Sequence, residues 1–458
     1  MSKDKDKDKD KDKNTSPVIV VGGGWAGLAA AVELARHQIP VILLESAKQL
    51  GGRARSVYAN EMHVDNGQHL LLGAYESTLG LLRHIGVNET DKLQRQPLSL
   101  QWFRPSGKTV VLNTAKLPAP FHLAWGLFTA KGLSLRDRFS ALNFSRKLQR
   151  DNFTIKEDCS VEALLQKHQQ SQTLITAIWE PLCLGALNTH IHEASAKLFL
   201  RTLSDSFRHT RRDSDLLLTQ INLGEIFPEP ASDYIETHNG SVRLGQRVIR
   251  LNIQDDCISG VVLNGSEISA QQVILATPHT ITKRLIKSHP ALQATAEQIE
   301  HIQHRPICTV YLQYDKQVQL GRWLRGSLDT VSQWVFDRSL HGQAGLMAVV
   351  ISGTGKHLEW DNDKLCEQVA QELATQYPHW PAPLSQHVIR EKRATFASTV
   401  NIQDYRPPAK TPVSGLYLAG DYTDVGLPAT LEGAVRSGLQ SAQHIIREQR
   451  RVRLQEPL

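Results

Sequence analysis

Residues 18–45 read VIVVGGGWAGLAAAVELARHQIPVILLE, and this stretch decides the architecture of the chain. The short β-branched run Val18–Val21 predicts a buried parallel strand, and Gly22, Gly24 and Gly27 then open a helical run of small residues over 26–35. Each glycine has its own task. Gly22 makes the tight turn, Gly24 lets backbone approach a pyrophosphate, and Gly27 lets the helix lie close on the strand. Phosphates would then sit at a helix N-terminus, where free N–H groups and the helix dipole favour anions. A second strand, Val41–Leu44, ends in Glu45, whose carboxylate is placed to accept hydrogen bonds from a ribose diol. A glycine-rich turn alone is weak evidence. Strand, turn, helix and terminal acid together predict a βαβ unit that binds a dinucleotide.

The chain has 458 residues, too many for one ordinary core, so a second domain beside the doubly wound one is expected. The net charge of +6 predicts affinity for anionic partners. No dense Lys/Arg run with interleaved aromatics, helix-turn-helix or RNA-binding signature is present, so lipid is expected and nucleic acid is not. Cys159, Cys183, Cys257, Cys308 and Cys366 lie far apart without a C-x-x-C, as reduced thiols of a cytoplasmic protein would. Residues 3–13 alternate Lys and Asp, so residues 1–15 are expected to be a disordered tail outside the fold and not a signal peptide.

Beyond Glu45, residues 50–56 read LGGRARS. The paired Gly51 and Gly52 permit unusual backbone angles, and Arg53 beside them could meet phosphate oxygens by a bidentate fork. Residues 64–75, VDNGQHLLLGAY, place polar and glycine positions around an apolar stretch, as a loop passing a large ligand would. A helix over 77–85, closed by Gly86, is expected next. Together these motifs resemble the start of the flavin amine oxidase and phytoene desaturase superfamily, and within it the squalene-associated FAD-dependent desaturase family. The resemblance extends to WEPLC at 179–183, ALN at 186–188 and the C-terminal motif, GLYLAGD at 415–421 followed by GLPATLEGA at 426–434.

The resemblance implies an α/β fold: a Rossmann-like FAD-binding domain of amine oxidase type with an inserted α+β substrate domain. The FAD-binding domain is expected from 16–95, 236–300 and 413–450, and the substrate or membrane-facing domain from 96–235 and 301–412. Strands are expected at 311–314, 334–336, 346–351 and 387–396, with a helix over 364–377. Val248 would meet the adenine through its backbone. Gly420 and Asp421 would end a strand beside the ribityl hydroxyls, and a helix from Leu431 would aim its N-terminus at the flavin. This second motif marks the cofactor as FAD, because a simple nicotinamide dehydrogenase does not need it.

The activity implied is reductive removal of the hydroxyl of hydroxysqualene, a long isoprenoid, in squalene and hopanoid synthesis, with an electron donor left unidentified. Desaturation of a phytoene-like chain and a non-enzymatic prenyl-lipid escort on the same fold stand as alternatives. His69 and Glu180 are the candidate proton donors, Glu180 because its neighbours Trp179 and Leu182 are apolar. His190, His192 and Glu193 have no further cluster at ligand spacing, so no metal is expected. Residues 102–200 read as mixed helical segments. Within them the apolar stretch 117–130 precedes Lys131, Arg136, Arg138, Arg146, Lys147 and Arg150, which suits a peripheral contact with the inner face of the cell membrane.

Overall fold

The structure, a computed structural model, describes residues 16–59, 62–107 and 109–455. The tail expected over 1–15 lies outside the described residues. The β-branched runs singled out above pair as a five-stranded parallel sheet in the order Ser241–Arg243, Val41–Leu44, Val18–Val21, Val273–Leu275 and Leu416–Leu418. Strands buried on both faces read as continuous apolar runs, and Val18–Val21 is buried throughout. Helix Trp25–Arg36 is buried from Trp25 to Ala35, because it is clamped between the sheet, helix Leu431–Gln455 and helix Pro228–Thr237. An antiparallel meander, Val248–Gln254, Cys257–Leu263 and Glu267–Ser269, precedes the fourth sheet strand in sequence.

The second sheet has seven strands in the order Ser385–Phe396, His304–Gln313, Leu346–Ser352, Trp334–Asp337, Leu324–Ser327, Ser99–Phe103 and Thr109–Asn113. All neighbours are antiparallel except Leu324–Ser327 with Ser99–Phe103. Both inserted segments therefore contribute to one sheet. The strand pair 99–113 stands where helical text was expected to begin; its alternating burial shows a strand period of two. A second difference lies at 223–235. These residues were expected in the substrate domain, but Leu223, Ile226, Phe227, Ala231 and Ile235 are buried in the core around helix Trp25–Arg36, and the Phe227 ring centroid lies 4.9 Å from that of Trp25. The boundary expected at 235 thus falls inside helix Pro228–Thr237.

Helix Phe121–Thr129 packs on the edge hairpin, helix Leu135–Arg150 packs on it in turn, and the two turn an apolar face outward. Phe121, Trp125, Phe128, Leu135 and Phe139 are all exposed, with Phe128 and Phe139 edge to face at 6.1 Å. Among the described residues no helix is long and apolar enough to cross a membrane.

Candidate active site

One cavity of about 780 Å³ runs between the two sheets. Its inner limb follows the glycine turn. Gly22 has φ +113°, a conformation open to glycine, and a Cβ on Gly27 would lie 1.9 Å from the Gly22 carbonyl oxygen. Gly51 N donates to Gly23 O at 2.8 Å, which lays the second glycine patch on the first turn. Glu45 Oε2 accepts from Gly23 N at 2.6 Å and Oε1 from Ala47 N at 2.7 Å. Ser46 Oγ also donates to Oε1 at 3.2 Å, and of a carboxylate's roughly four acceptor positions the remaining one can take a ribose hydroxyl. A glycine turn that a Cβ at Gly27 would force away from its helix, with an acid fixed at the next strand end, fits the dinucleotide half of FAD. Gly22, Gly24, Glu45, Gly52, Arg53, His69, Val248, Gly420, Asp421 and Leu431 all line this cavity. Gly27 acts from behind it, through its contact with Gly22.

Arg53 and Asp421 stand in a different relation from the one expected. Arg53 Nη2 donates to Asp421 Oδ1 at 2.6 Å and Nη1 to Ala394 O at 2.8 Å, so this guanidinium is held by a carboxylate and a strand carbonyl. Burial works against the charge on Asp421, but Arg53 outweighs it, with His279 and Arg406 adding to the effect, and the carboxyl sits below its ordinary range. Arg406, unremarked in the sequence, is buried and donates to the carbonyls of Asp421, Tyr422, Thr423 and Leu427. It thereby shapes the loop that leads to Leu431. Burial lowers its own pKa to about 10. The signal missed was an arginine directly before Pro407 and Pro408, where few other donors are available.

Neither expected proton donor is arranged as one. Glu180 does not line the cavity. Its Oε1 lies 2.7 Å from His190 Nδ1, and its Oε2 accepts from Ile191 N at 3.4 Å, while His190 Nε2 reaches Thr354 O at 2.9 Å. The hydrogen bond to Glu180 raises the His190 pKa despite burial. The apolar neighbours Trp179 and Leu182 face elsewhere than the carboxylate. His69 does line the cavity, but burial lowers its pKa, and its Nδ1 lies 2.9 Å from Gly67 O. A carbonyl only accepts, so Nδ1 carries the hydrogen and the neutral ring offers Nε2 as an acceptor. Sequence reasoning passed over Glu391, within the strand expected at 387–396. Glu391 lines the cavity beside the same loop, accepting from Asn66 Nδ2 at 3.1 Å and Arg393 N at 3.1 Å.

Behind the Arg53–Asp421 pair, His279 and His304 stack at 4.1 Å, with His279 Nε2 and both His304 ring nitrogens unpartnered. Burial and the neighbouring His304 lower the His279 pKa to about 4, and burial and Arg338 lower that of His341 to about 3. Both histidines are neutral in the folded chain, so between about pH 6.5 and 4 the unfolded chain binds more protons and stability falls as pH falls. A displacement from 6.5 to about 4, at about 1.4 kcal/mol per pH unit, makes the His279 contribution about 3 kcal/mol. Thermal midpoints should therefore be level above pH 7 and decline from about pH 6.5 downward. In His279→Gln that decline should be shallower.

The outer limb of the cavity is largely apolar, with Leu98, Leu100, Phe199, Leu203, Leu216 and Phe336 in its wall and Thr202, Asp205 and Ser206 on the same helix as Phe199. The loop Leu427 to Thr430 that faces the cofactor limb carries no aromatic residue.

A family model for flavin containing amine oxidoreductases matches residues 25–446. The chain is 26% identical over 445 residues to a hydroxysqualene dehydroxylase of Zymomonas mobilis, covering 92% of this chain and 97% of that one. It is 24% identical to a 15-cis-phytoene desaturase of an Oncidium hybrid cultivar, covering 94% and 78%. The fold matches a cyclohexylamine oxidase of Brevibacterium oxydans with a TM-score of 0.70 at 15% identity, covering 95% of this chain and all of that one. An FAD cradle, a partner sheet and a full-length family match agree, and the chain belongs to the flavin containing amine oxidoreductases as an FAD-dependent oxidoreductase.

Proposed function

We propose that the chain removes the allylic hydroxyl of hydroxysqualene to give squalene, a step toward hopanoids, at the inner face of the cell membrane. The observation that carries this is the largely apolar limb continuous with the FAD cradle, which suits an uncharged hydrocarbon chain, with no aromatic residue in the loop Leu427 to Thr430 beside the cradle. The 26% identity to the Zymomonas hydroxysqualene dehydroxylase supports the same substrate. Overall, the allylic C–O bond breaks, the oxygen leaves as water after gaining a proton, and a hydride forms the new C–H bond. Reduced FAD, when bound, supplies that hydride and both electrons. His69 Nε2 accepts a hydrogen bond from the hydroxyl and orients it. The apolar walls exclude water that would recapture the allylic cation. Glu391 is the carboxyl that the Ser385–Phe396 strand offers to carry a proton to the hydroxyl.

Product analysis decides the direction of the reaction: reduced protein is given hydroxysqualene, and oxidised protein is given squalene or phytoene. Squalene appearing only in the first arm supports dehydroxylation; a new double bond in the second would replace it with desaturation. Glu391→Gln should slow single-turnover flavin reoxidation by about 10² to 10⁴-fold with FAD retained. A rate near wild type would remove Glu391 from proton transfer.

We also propose that the exposed aromatic face of helices Phe121–Thr129 and Leu135–Arg150 docks on the bilayer that supplies this insoluble substrate, with Lys131 and Arg136 against anionic headgroups. Trp125, Phe128 and Phe139 are each roughly half exposed, and full burial of such a side chain gives about 1.5–3 kcal/mol. Replacing all three with serine should weaken partitioning to anionic liposomes by roughly 100-fold, from about 1 kcal/mol apiece. Raised salt should weaken the wild type further. Undiminished binding by the folded triple variant would place docking elsewhere.

A further inference from the structure

A second cavity, about 40 Å³, lies between the main chamber and the outward aromatic face. Leu98, Leu100, Leu182 and Leu203 line both cavities, so the two are separated by side chains alone. Its far wall is built by Leu127 of helix Phe121–Thr129, Leu148 of helix Leu135–Arg150, and Ile178 and Trp179. Besides the indole N–H groups of Trp102 and Trp179, the polar side chains in the lining are Ser145 and Gln149, both partly exposed on helix Leu135–Arg150. Ile178 and Trp179 belong to a π-helical turn, Ile175–Trp179, a rare conformation that recurs at functional sites. The turn is anchored rather than slack: Trp179 Nε1 donates to Gln170 Oε1 at 3.1 Å, and its ring stands edge to face on Phe144 at 5.4 Å.

We propose that this cavity is a subsite for the terminal isoprenyl units of the chain whose reacting centre lies in the main chamber. The inference rests on the isoprenoid substrate proposed above and deepens it into a measure of chain length. Single-ligand pockets usually measure roughly 300–1000 Å³, and here about 780 Å³ must serve both FAD and a long hydrocarbon. The chain end therefore needs room beyond the chamber. Interiors are close-packed, so an apolar end entering this void gains contacts that its lining otherwise lacks. As it stands the space accepts a methyl-branched tip. Rotation of Leu182 and Leu203 merges it with the chamber and admits a full unit.

The test uses the full FAD-loaded chain and reads binding of squalene and of farnesol in detergent micelles by the flavin absorbance change. Leu127→Phe and Leu148→Phe fill the subsite from its far wall and line no part of the main chamber. Each should weaken squalene binding about tenfold, the scale of a lost fit in an apolar pocket, and leave farnesol binding and the flavin spectrum unchanged. Equal effects on both ligands, or none on either, would overturn the subsite. Should the phenylalanine variants not fold, Leu148→Ala decides: phytoene, the longer chain, should gain on squalene, and an unchanged ratio counts against the proposal. Turnover is scored separately. Length-dependent squalene binding without any dehydroxylation leaves the subsite standing and removes the reaction proposed for it, whereas a wild type that binds no squalene removes both.

Discussion

Gly27→Ala is expected to yield protein without FAD. The added methyl would sit 1.9 Å from the Gly22 carbonyl oxygen and 3.1 Å from Ala276 Cβ. Neither obstacle is the end of a flexible side chain, since one is the turn backbone itself. Helix Trp25–Arg36 would have to retreat from strand Val18–Val21. That withdraws the first-turn N–H groups from the phosphates and pulls Gly23 away from Glu45. The helix is also held from outside by helix Leu431–Gln455, where a Cβ on Gly438 would approach Ala26 O to 2.0 Å, so no slack exists on that side. Overpacking a core costs typically about 1–3 kcal/mol, and here the same displacement also opens the cofactor's anion site. Flavin absorbance per mole of purified protein is the measurement. A full complement of FAD in the variant would show that the helix can shift without loss of the cradle.

Arg338→Ala is expected to be the most destabilising single change outside the glycine turn. Arg338 and Asp65 are wholly buried, with Arg338 Nη1 3.3 Å from Asp65 Oδ2 and 2.7 Å from Gln68 Oε1, and Nε donating to Gln343 Oε1 at 2.6 Å. Removing the cation strands a carboxylate that cannot reach water, a change worth about 3–5 kcal/mol. Asp65 would keep only its bonds from Leu223 N and Ser56 Oγ. Taking both charges away together should cost far less, because a buried pair can be replaced by apolar groups at little net loss. Denaturant midpoints of Arg338→Ala and of the double variant Arg338→Met with Asp65→Leu make the comparison. An equal loss in both would mean that packing, not the stranded charge, sets the cost. The same change should loosen the 66–70 loop that carries His69, since Gln68 loses its tether, so activity should fall in the single variant even at temperatures where it remains folded.

The glycine turn, Glu45, the strand Leu416–Leu418 that leads to Asp421 and the helix from Leu431 were all legible in the sequence, because each is decided within a few residues. Positive φ at Gly22, the small residues needed at Gly27 and an acid at a strand end leave marks in adjacent letters. The expected strands at 334–336, 346–351 and 387–396 each fall in a strand for the same reason, their apolar runs being local, and that at 311–314 does so up to Gln313. What the side chains do inside the cavity was not local. Arg53 meets Asp421 across 368 residues of chain, Asn66 meets Glu391 across 325, and Arg338 meets Asp65 across 273. Which of several acids an arginine takes depends on which faces pack together and on the cost of leaving a charge dry. Glu180 illustrates the limit most plainly. Its sequence neighbours are apolar, yet its carboxylate turns to His190 and away from the cavity, because a partly buried acid follows the nearest donor rather than the character of adjacent residues. The sequence alone therefore determined the cofactor cradle and the class of fold. Only the tertiary structure decided the protonation of His69, the partner of Arg53, and the placing of Glu391 and Arg406 at the site.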